Sequence, residues 1–159
     1  MLLDTSIQYI KATTVEHYEI IRTIRNSGIG KYANNNHIIS EQENKIFWQE
    51  NKDNITAWIM YVHEDAVGIC SLHQDKDNKN WSFVAVNPNY EGKGYGQALL
   101  RFIVDCTSEK VYGKVELTNI SMLYMVSKMQ VWRMLNFDAR YNILTIVANS
   151  REEDILKSI

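Results

Sequence analysis

The stretch Val84-Ala85-Val86-Asn87-Pro88-Asn89-Tyr90-Glu91-Gly92-Lys93-Gly94-Tyr95-Gly96-Gln97-Ala98-Leu99-Leu100 sets three alternating glycines between an apolar run and an amphipathic one. The whole chain has 159 residues with one proline and seven glycines, so four of its eight backbone specialists crowd into Pro88 to Gly96. Upstream, Trp81 to Val86 reads as a short strand, and Pro88 stops it because proline cannot donate to a ladder. Downstream, Leu99, Phe102, Ile103 and Cys106 recur at three- and four-residue intervals while Arg101, Asp105 and Glu109 fall elsewhere, which predicts a helix. Glycines at such a junction let successive backbone N–H groups approach an anion, and the unpaired amides and dipole of the following helix add to the attraction. Lys93 and Gln97 stand where they could assist. The competing structural reading is a tight turn that needs positive φ.

Two familiar phosphate loops do not fit the letters. A Walker loop needs a lysine followed by Ser or Thr after its last glycine, whereas Lys93 precedes Gly94. A dinucleotide fingerprint spaces its third glycine differently and opens a βαβ unit with an acid farther on.

Working outward, Ile7 to Thr13 reads as a strand, and Thr13 with Glu16 as a capping box opening a helix that bears Val15, Tyr18, Ile21 and Ile24 and stops near Ser27-Gly28. A polar loop from Gly28 to Ile39 leads to a second box, Ser40 with Glu43, and a helix to about Asn51. Ile55 to Val62 and Ala66 to Leu72 form a hairpin around His63-Glu64-Asp65, with Asp75 to Asn80 as the next turn. Val115 to Ile120 is a strand, parallel to Trp81 to Val86 through a right-handed crossover. A helix then fits Leu123 to Leu135, ending at Asn136 in the left-handed C′ conformation. Asn142 to Val147 is a last strand, and Ser150 with Glu153 caps a terminal helix. With no internal repeat or linker, residues 1–159 read as one mixed α/β domain.

Composition narrows the function. Seventeen Lys and Arg against nineteen Asp and Glu give a formal charge of -2, so no general attraction to nucleic acid or to an anionic membrane is expected. Cys70 and Cys106 are widely spaced among apolar residues and read as reduced core thiols, neither a disulfide nor a metal framework. The opening MLLDTSIQ has no basic leader, and no apolar run nears the ~20 residues needed to span a bilayer. A cytoplasmic protein is the expectation.

The glycine stretch resembles the acyl-CoA pyrophosphate loop of the GNAT acetyltransferase family, whose signature [QR]xxGx[GA] follows a strand ending in V-x-P. Here Val86-Asn87-Pro88 precedes Glu91-Gly92-Lys93-Gly94-Tyr95-Gly96, with Glu91 where Gln or Arg is usual. The resemblance implies a central, mostly antiparallel sheet with a splayed parallel strand pair and flanking helices. It also implies acetyl-CoA as co-substrate without a metal, held by the strand Val84-Ala85-Val86 and by Glu91 to Gln97. Backbone groups of Val84 and Val86 would bind the pantetheine, and amides of Gly92 to Gly96 the pyrophosphate. A softer likeness links Ile24-Arg25-Asn26, Lys31-Tyr32, His37 to Glu43 and Phe47-Trp48 to the branch that acetylates amino groups on nucleotide-linked sugars. It makes Arg25, Asn26 and His37 candidates for acceptor contact, against a plain surface loop.

Amine acetylation needs a neutral amine, an oxyanion partner and a proton for the leaving thiolate. Asn80 stands where many members of the family carry a glutamate base. His73 is the preferred base, its ordinary pKa of ~6.5 suiting proton transfer near neutrality, and Glu116 is an alternative. Where the family closes with a tyrosine acid and a Gly-Phe pair, this chain reads Trp132 to Asn136-Phe137. An indole donates a hydrogen bond but not a proton, so Tyr124 or Ser121 would substitute as acid. Met125, Met129 and Trp132 otherwise read as an apolar core stripe at helical spacing. The resulting expectation is direct acetyl transfer, in a ternary complex, to the amine of a small or nucleotide-linked amino sugar. The alternatives are a protein or small-metabolite amine, or an acyl-CoA sensor without catalysis. A homodimer is left open.

Overall fold

A computed structural model describes residues 6–28 and 37–149. The elements run β1 (Ile7–Lys11), α1 (Val15–Ser27), α2 (Glu41–Asn51), β2 (Ile55–Val62), β3 (Asp65–Gln74), β4 (Asn80–Val86), α3 (Tyr95–Asp105), β5 (Val111–Glu116), α4 (Ile120–Met129), β6 (Trp132–Asp138) and β7 (Ile143–Ala148). A single 3₁₀ turn, Pro88–Tyr90, lies between β4 and α3. The seven strands form one sheet in the order β1-β2-β3-β4-β5-β7-β6. Every neighbouring pair is antiparallel except β4 and β5, whose parallel ladder holds only Asn80↔Val111 and Trp81↔Tyr112.

The alternation of side chains across a pleated strand gives the sheet two apolar faces. Neighbours on one strand divide between them: Cys70 and Val84 pack with Leu99, Ile103 and Val126 of α3 and α4, while Ile69 and Ala85 pack with Ile21, Ile24 and Trp48 of α1 and α2. α1 and α2 sit where their caps predict, with one shift. Thr14, not Thr13, caps α1 by accepting from the His17 N–H, so the Thr13–Glu16 box does not form. At α2 the reciprocal Ser40–Glu43 box does form, and Gly28 ends α1. Glu43 also bonds His37, and these donors hold its carboxyl down at about 2.

The C-terminal third differs most from expectation. The strand expected at Val115 to Ile120 lies earlier, at Val111–Glu116, because Ile120 already belongs to α4. The helix expected to run to Leu135 ends at Met129. Gln130, at φ 55°, takes the left-handed position assigned to Asn136. Trp132–Asp138 is then a strand paired to β7, with its register broken between Met134 and Asn136. That irregularity mixes spacings of two and three among Trp132, Met134 and Phe137, which imitates a helical period. Cys70 is buried, but Cys106, beyond the last turn of α3, is exposed rather than a core thiol. The Ser150–Glu153 cap lies outside the described residues, as do Lys31 and Tyr32. No helix among the described residues is long and apolar enough to cross a membrane.

Tyr9 ties β1 to α3. Its ring stacks on Phe102 with centroids 3.9 Å apart, and its hydroxyl donates to the Ala98 carbonyl at 3.3 Å. Burial pushes the phenol from 10.0 up to about 12. A folded-state pKa above the unfolded value means stability fully present below pH 10 and lost as the pH climbs toward 12. Urea denaturation across this window is therefore expected to show an alkaline loss of stability that is smaller in Tyr9→Phe.

Candidate active site

The glycine turn is built in two parts. The Asn87 side chain accepts from the Asn89 N–H at 3.1 Å and the Asn87 carbonyl from Tyr90 N–H at 2.8 Å, turning the chain off β4. Gly92 (φ 78°) and Gly94 (φ 86°) then take left-handed conformations that a side chain would strain. Around a Cβ built on Gly92 nothing lies within 4 Å, so glycine is required there by backbone and not by space. Gly94 is the N-cap of α3 and offers no side chain to the first-turn amides, whereas Thr14, Ser40 and Asn119 cap α1, α2 and α4. Gly96 differs from both. It is buried within α3, and a Cβ there would lie 3.0 Å from Met125 Sδ, so it lets α4 approach. Lys93 is exposed, its ammonium 5.8 Å from the Tyr90 ring centroid, and Glu91 and Gln97 are exposed on the same turn. Left-handed glycines, an uncapped helix start and a nearby ammonium together suit a phosphate-bearing ligand.

β4 leads from this turn into the molecule. Its ladder with β5 ends at Trp81↔Tyr112, yet the strand continues through Val86. Asn87 N–H bonds Val67 on β3 at 2.8 Å, so by alternation the backbone groups of Val86, Val84 and Ser82 face the β5 side, where the ladder has ended. Ser82 Oγ donates to the Tyr112 carbonyl at 3.0 Å just beyond the last pair. Val84 and Ala85 are buried, Val84 toward α3 and Ala85 toward α1.

The start of β4 lines a cavity on the α1 and α2 face. This space of about 210 Å³ is walled by Phe47, Trp48, Trp81 and Phe83, with Arg25, Ser71 and His73 among its polar groups. A second cavity of about 220 Å³ shares Arg25, Phe47 and Trp48 with it and adds His37, Glu43 and Asn44. Arg25 stands with its guanidinium 4.9 Å from the Phe83 ring centroid, and burial lowers its pKa from the ordinary value. His37 lines the second cavity while bonding Glu43 at 2.9 Å. Asn26 lines neither cavity. Its amide is engaged at both ends with the backbone of Ile39, at 2.9 Å each, and holds the loop end to α1.

The catalytic candidates separate. His73 lines the first cavity beside Arg25. Glu116 closes β5 and Tyr124 lies exposed on α4 beneath Lys128, whose ammonium is 4.3 Å from the ring centroid; neither lines either cavity. Trp132 is in the core beside Met129, on β6 rather than α4, and its Nε1–H is buried with no hydrogen-bond partner among the described residues. Sequence reading missed Ser71, Trp81 and Phe83 as cavity walls. The period of two along β4, which sets Phe83 opposite Val84, carried that signal.

A mostly antiparallel sheet with one short parallel pair, and a glycine turn feeding the helix that follows, is the layout of the GNAT fold. Residues 53–128 match the family model described as Acetyltransferase (GNAT) domain, and the chain has the GNAT fold. The yncA protein of Salmonella typhimurium, solved with its cofactor acetyl-CoA, superposes with a TM-score of 0.73 at 14% identity, over 93% of this chain and 96% of that one. Spermidine N-acetyltransferase from Vibrio cholerae, in complex with CoA and spermine, gives 0.74 at 12% identity, over 90% and 95%. RimL, a ribosomal L7/L12 alpha-N-protein acetyltransferase in complex with CoA, gives 0.74 at 10% identity, over 91% and 93%. Among curated proteins no sequence match is found.

Proposed function

We propose that the protein is a cytoplasmic, single-domain N-acetyltransferase that uses acetyl-CoA and acetylates the primary amine of a small or nucleotide-linked amino sugar by direct transfer. The observation that carries this reading is that one strand joins the glycine turn to the cavity. β4 ends at the left-handed glycine turn and begins as a wall of the cavity that holds Arg25 and His73. The amides from Gly92 to Gly96, with Lys93 and Gln97, would hold the pyrophosphate of acetyl-CoA, and the backbone of Val84 and Val86 its pantetheine. Acetyl-CoA supplies the activated acyl group as a thioester. The Phe47, Trp48 and Trp81 walls exclude water and suit the apolar face of a sugar ring. His73 accepts the proton from the acceptor amine, and the exposed Tyr124 is the candidate donor to the leaving sulfur, since Trp132 is enclosed in the core.

Free-thiol release from acetyl-CoA with a panel of amino sugars and other amines tests this. His73→Gln is expected to lower kcat by about 10²-fold or more while acetyl-CoA binding is retained. Tight CoA binding with no thiol release from any amine would instead favour a sensor of acyl-CoA, and turnover confined to polyamines or protein N-termini would replace the amino sugar as acceptor.

A further inference from the structure

We propose that the acceptor carries an anionic group, carboxylate or phosphate, beside its amine, and that Arg25 selects it. This rests on the reading that the Arg25–His73 cavity receives the acceptor.

The cavity's charge points one way. Among the described residues that line it there is no Asp or Glu, while Arg25 brings a guanidinium into a wall otherwise made of aromatic, aliphatic and small polar side chains. A polyamine brings several ammonium groups, and a site for it needs carboxylates to replace the lost water. The described walls of this cavity offer them none. The adjoining cavity has Glu43, whose carboxylate is taken up by the Ser40 N–H at 2.7 Å and by His37 at 2.9 Å. Nearly two turns back along α1, Glu19 is likewise committed to Arg22, at 2.8 Å.

Arg25 suits anion recognition in its surroundings. The guanidinium carbon lies 4.9 Å from the Phe83 ring centroid, within cation–π range, and a guanidinium fork matches the two oxygens of a carboxylate or phosphate. Arg25 lines both cavities, so an anion bound to it lies between them. A fixed cation there also disfavours the ammonium form of a nearby amine, which leaves more of it as the neutral nucleophile. The same placement therefore selects the acceptor and prepares it.

The test is binding, measured calorimetrically on the full chain with CoA present, of glucosamine 6-phosphate, glutamate, glucosamine and spermidine, with thiol release measured in parallel. At least one anionic amine is expected to bind about tenfold or more tighter than glucosamine and spermidine, and whether it is the phosphate or the carboxylate names the anion. Arg25→Gln is expected to collapse that preference toward one, and Arg25→Lys, which keeps the charge but not the fork, to reduce it only in part. Equal binding of neutral and anionic amines, preference for spermidine, no binding by any of the four, or a uniform loss in Arg25→Gln would each overturn the inference. If Arg25→Gln does not fold, the ratio in Arg25→Lys decides: an undiminished preference counts against the fork. Anion preference without thiol release would sink the catalytic reading and leave this one standing. Turnover of glucosamine or spermidine in preference to the anionic amines would do the reverse.

Discussion

Gly94→Glu is expected to abolish the thermal stabilisation that acetyl-CoA is expected to give the wild-type protein. At a ligand concentration about a hundred times Kd, binding adds about 2.7 kcal/mol to the folded state. For a domain of this size that is a rise in Tm of roughly 5–11 °C. Gly94 stands at φ 86° as the N-cap of α3, with no side chain between the first-turn amides and an arriving anion. Glutamate there adds backbone strain, bulk and a negative charge where a pyrophosphate is expected. Because the substitution also strains the fold, each protein is compared with its own ligand-free Tm by differential scanning fluorimetry. Gly92→Ala isolates the strain: the space around a Cβ is open, but φ is 78°, so it costs roughly 1–2 kcal/mol of stability without adding charge to the cradle. A Gly94→Glu protein that acetyl-CoA stabilised as fully as wild type would remove the glycine turn from the donor site.

Legibility along the chain followed the reach of the interactions. β2 spans the residues read from its β-branched run, and the Ser40–Glu43 box closes as its spacing predicts, since both depend on neighbours within a few residues. The glycine turn was legible for the same reason, because left-handed φ at Gly92 and Gly94 is a local demand. β6 was not. Its strand character comes from pairing with β7, and its broken register hides the alternation that would have shown it. Trp132 was consequently set on a helix, in an apolar stripe with Met125 and Met129, when pairing with Ala148 puts it on a strand; its place in the core is as that stripe implied. The acceptor region was half legible. Arg25 and His37 were singled out, yet α1, α2 and three strands meet to wall the first cavity, and only the fold brings His73 of β3 to the same space as Arg25 of α1. Asn26 has the polar amide of a ligand contact, but the backbone of Ile39 claims it, a pairing thirteen residues away that residue type does not show.

Gly68→Ala is expected to destabilise the protein and, through α3, to loosen the donor site. Gly68 lies opposite Val86 in the β3–β4 register, under the helix whose first turn forms the cradle. A Cβ there would stand 2.8 Å from Leu99 Cδ1 and 3.0 Å from the Ala85 carbonyl oxygen. Neither neighbour yields readily: Leu99 is fully enclosed, and the carbonyl belongs to the central sheet. Replacing a strand glycine by alanine gains about 0.5–1 kcal/mol through the lower entropy of the unfolded chain. Overpacking costs typically 1–3 kcal/mol. The cost wins, leaving a net loss of about 1–2 kcal/mol, which lowers Tm by roughly 2–8 °C. Displacing Leu99 also shifts the start of α3, so the affinity for acetyl-CoA falls with the stability. Gly96→Ala is the comparison, because its Cβ would meet Met125 at 3.0 Å to Sδ and 3.2 Å to Cε, the far end of a flexible side chain that can rotate away. That variant is expected to stay within about 0.5 kcal/mol of wild type. Urea denaturation of the two variants checks the order, and a Gly96→Ala loss larger than that of Gly68→Ala would show that α4, not the sheet, seats the helix that forms the cradle.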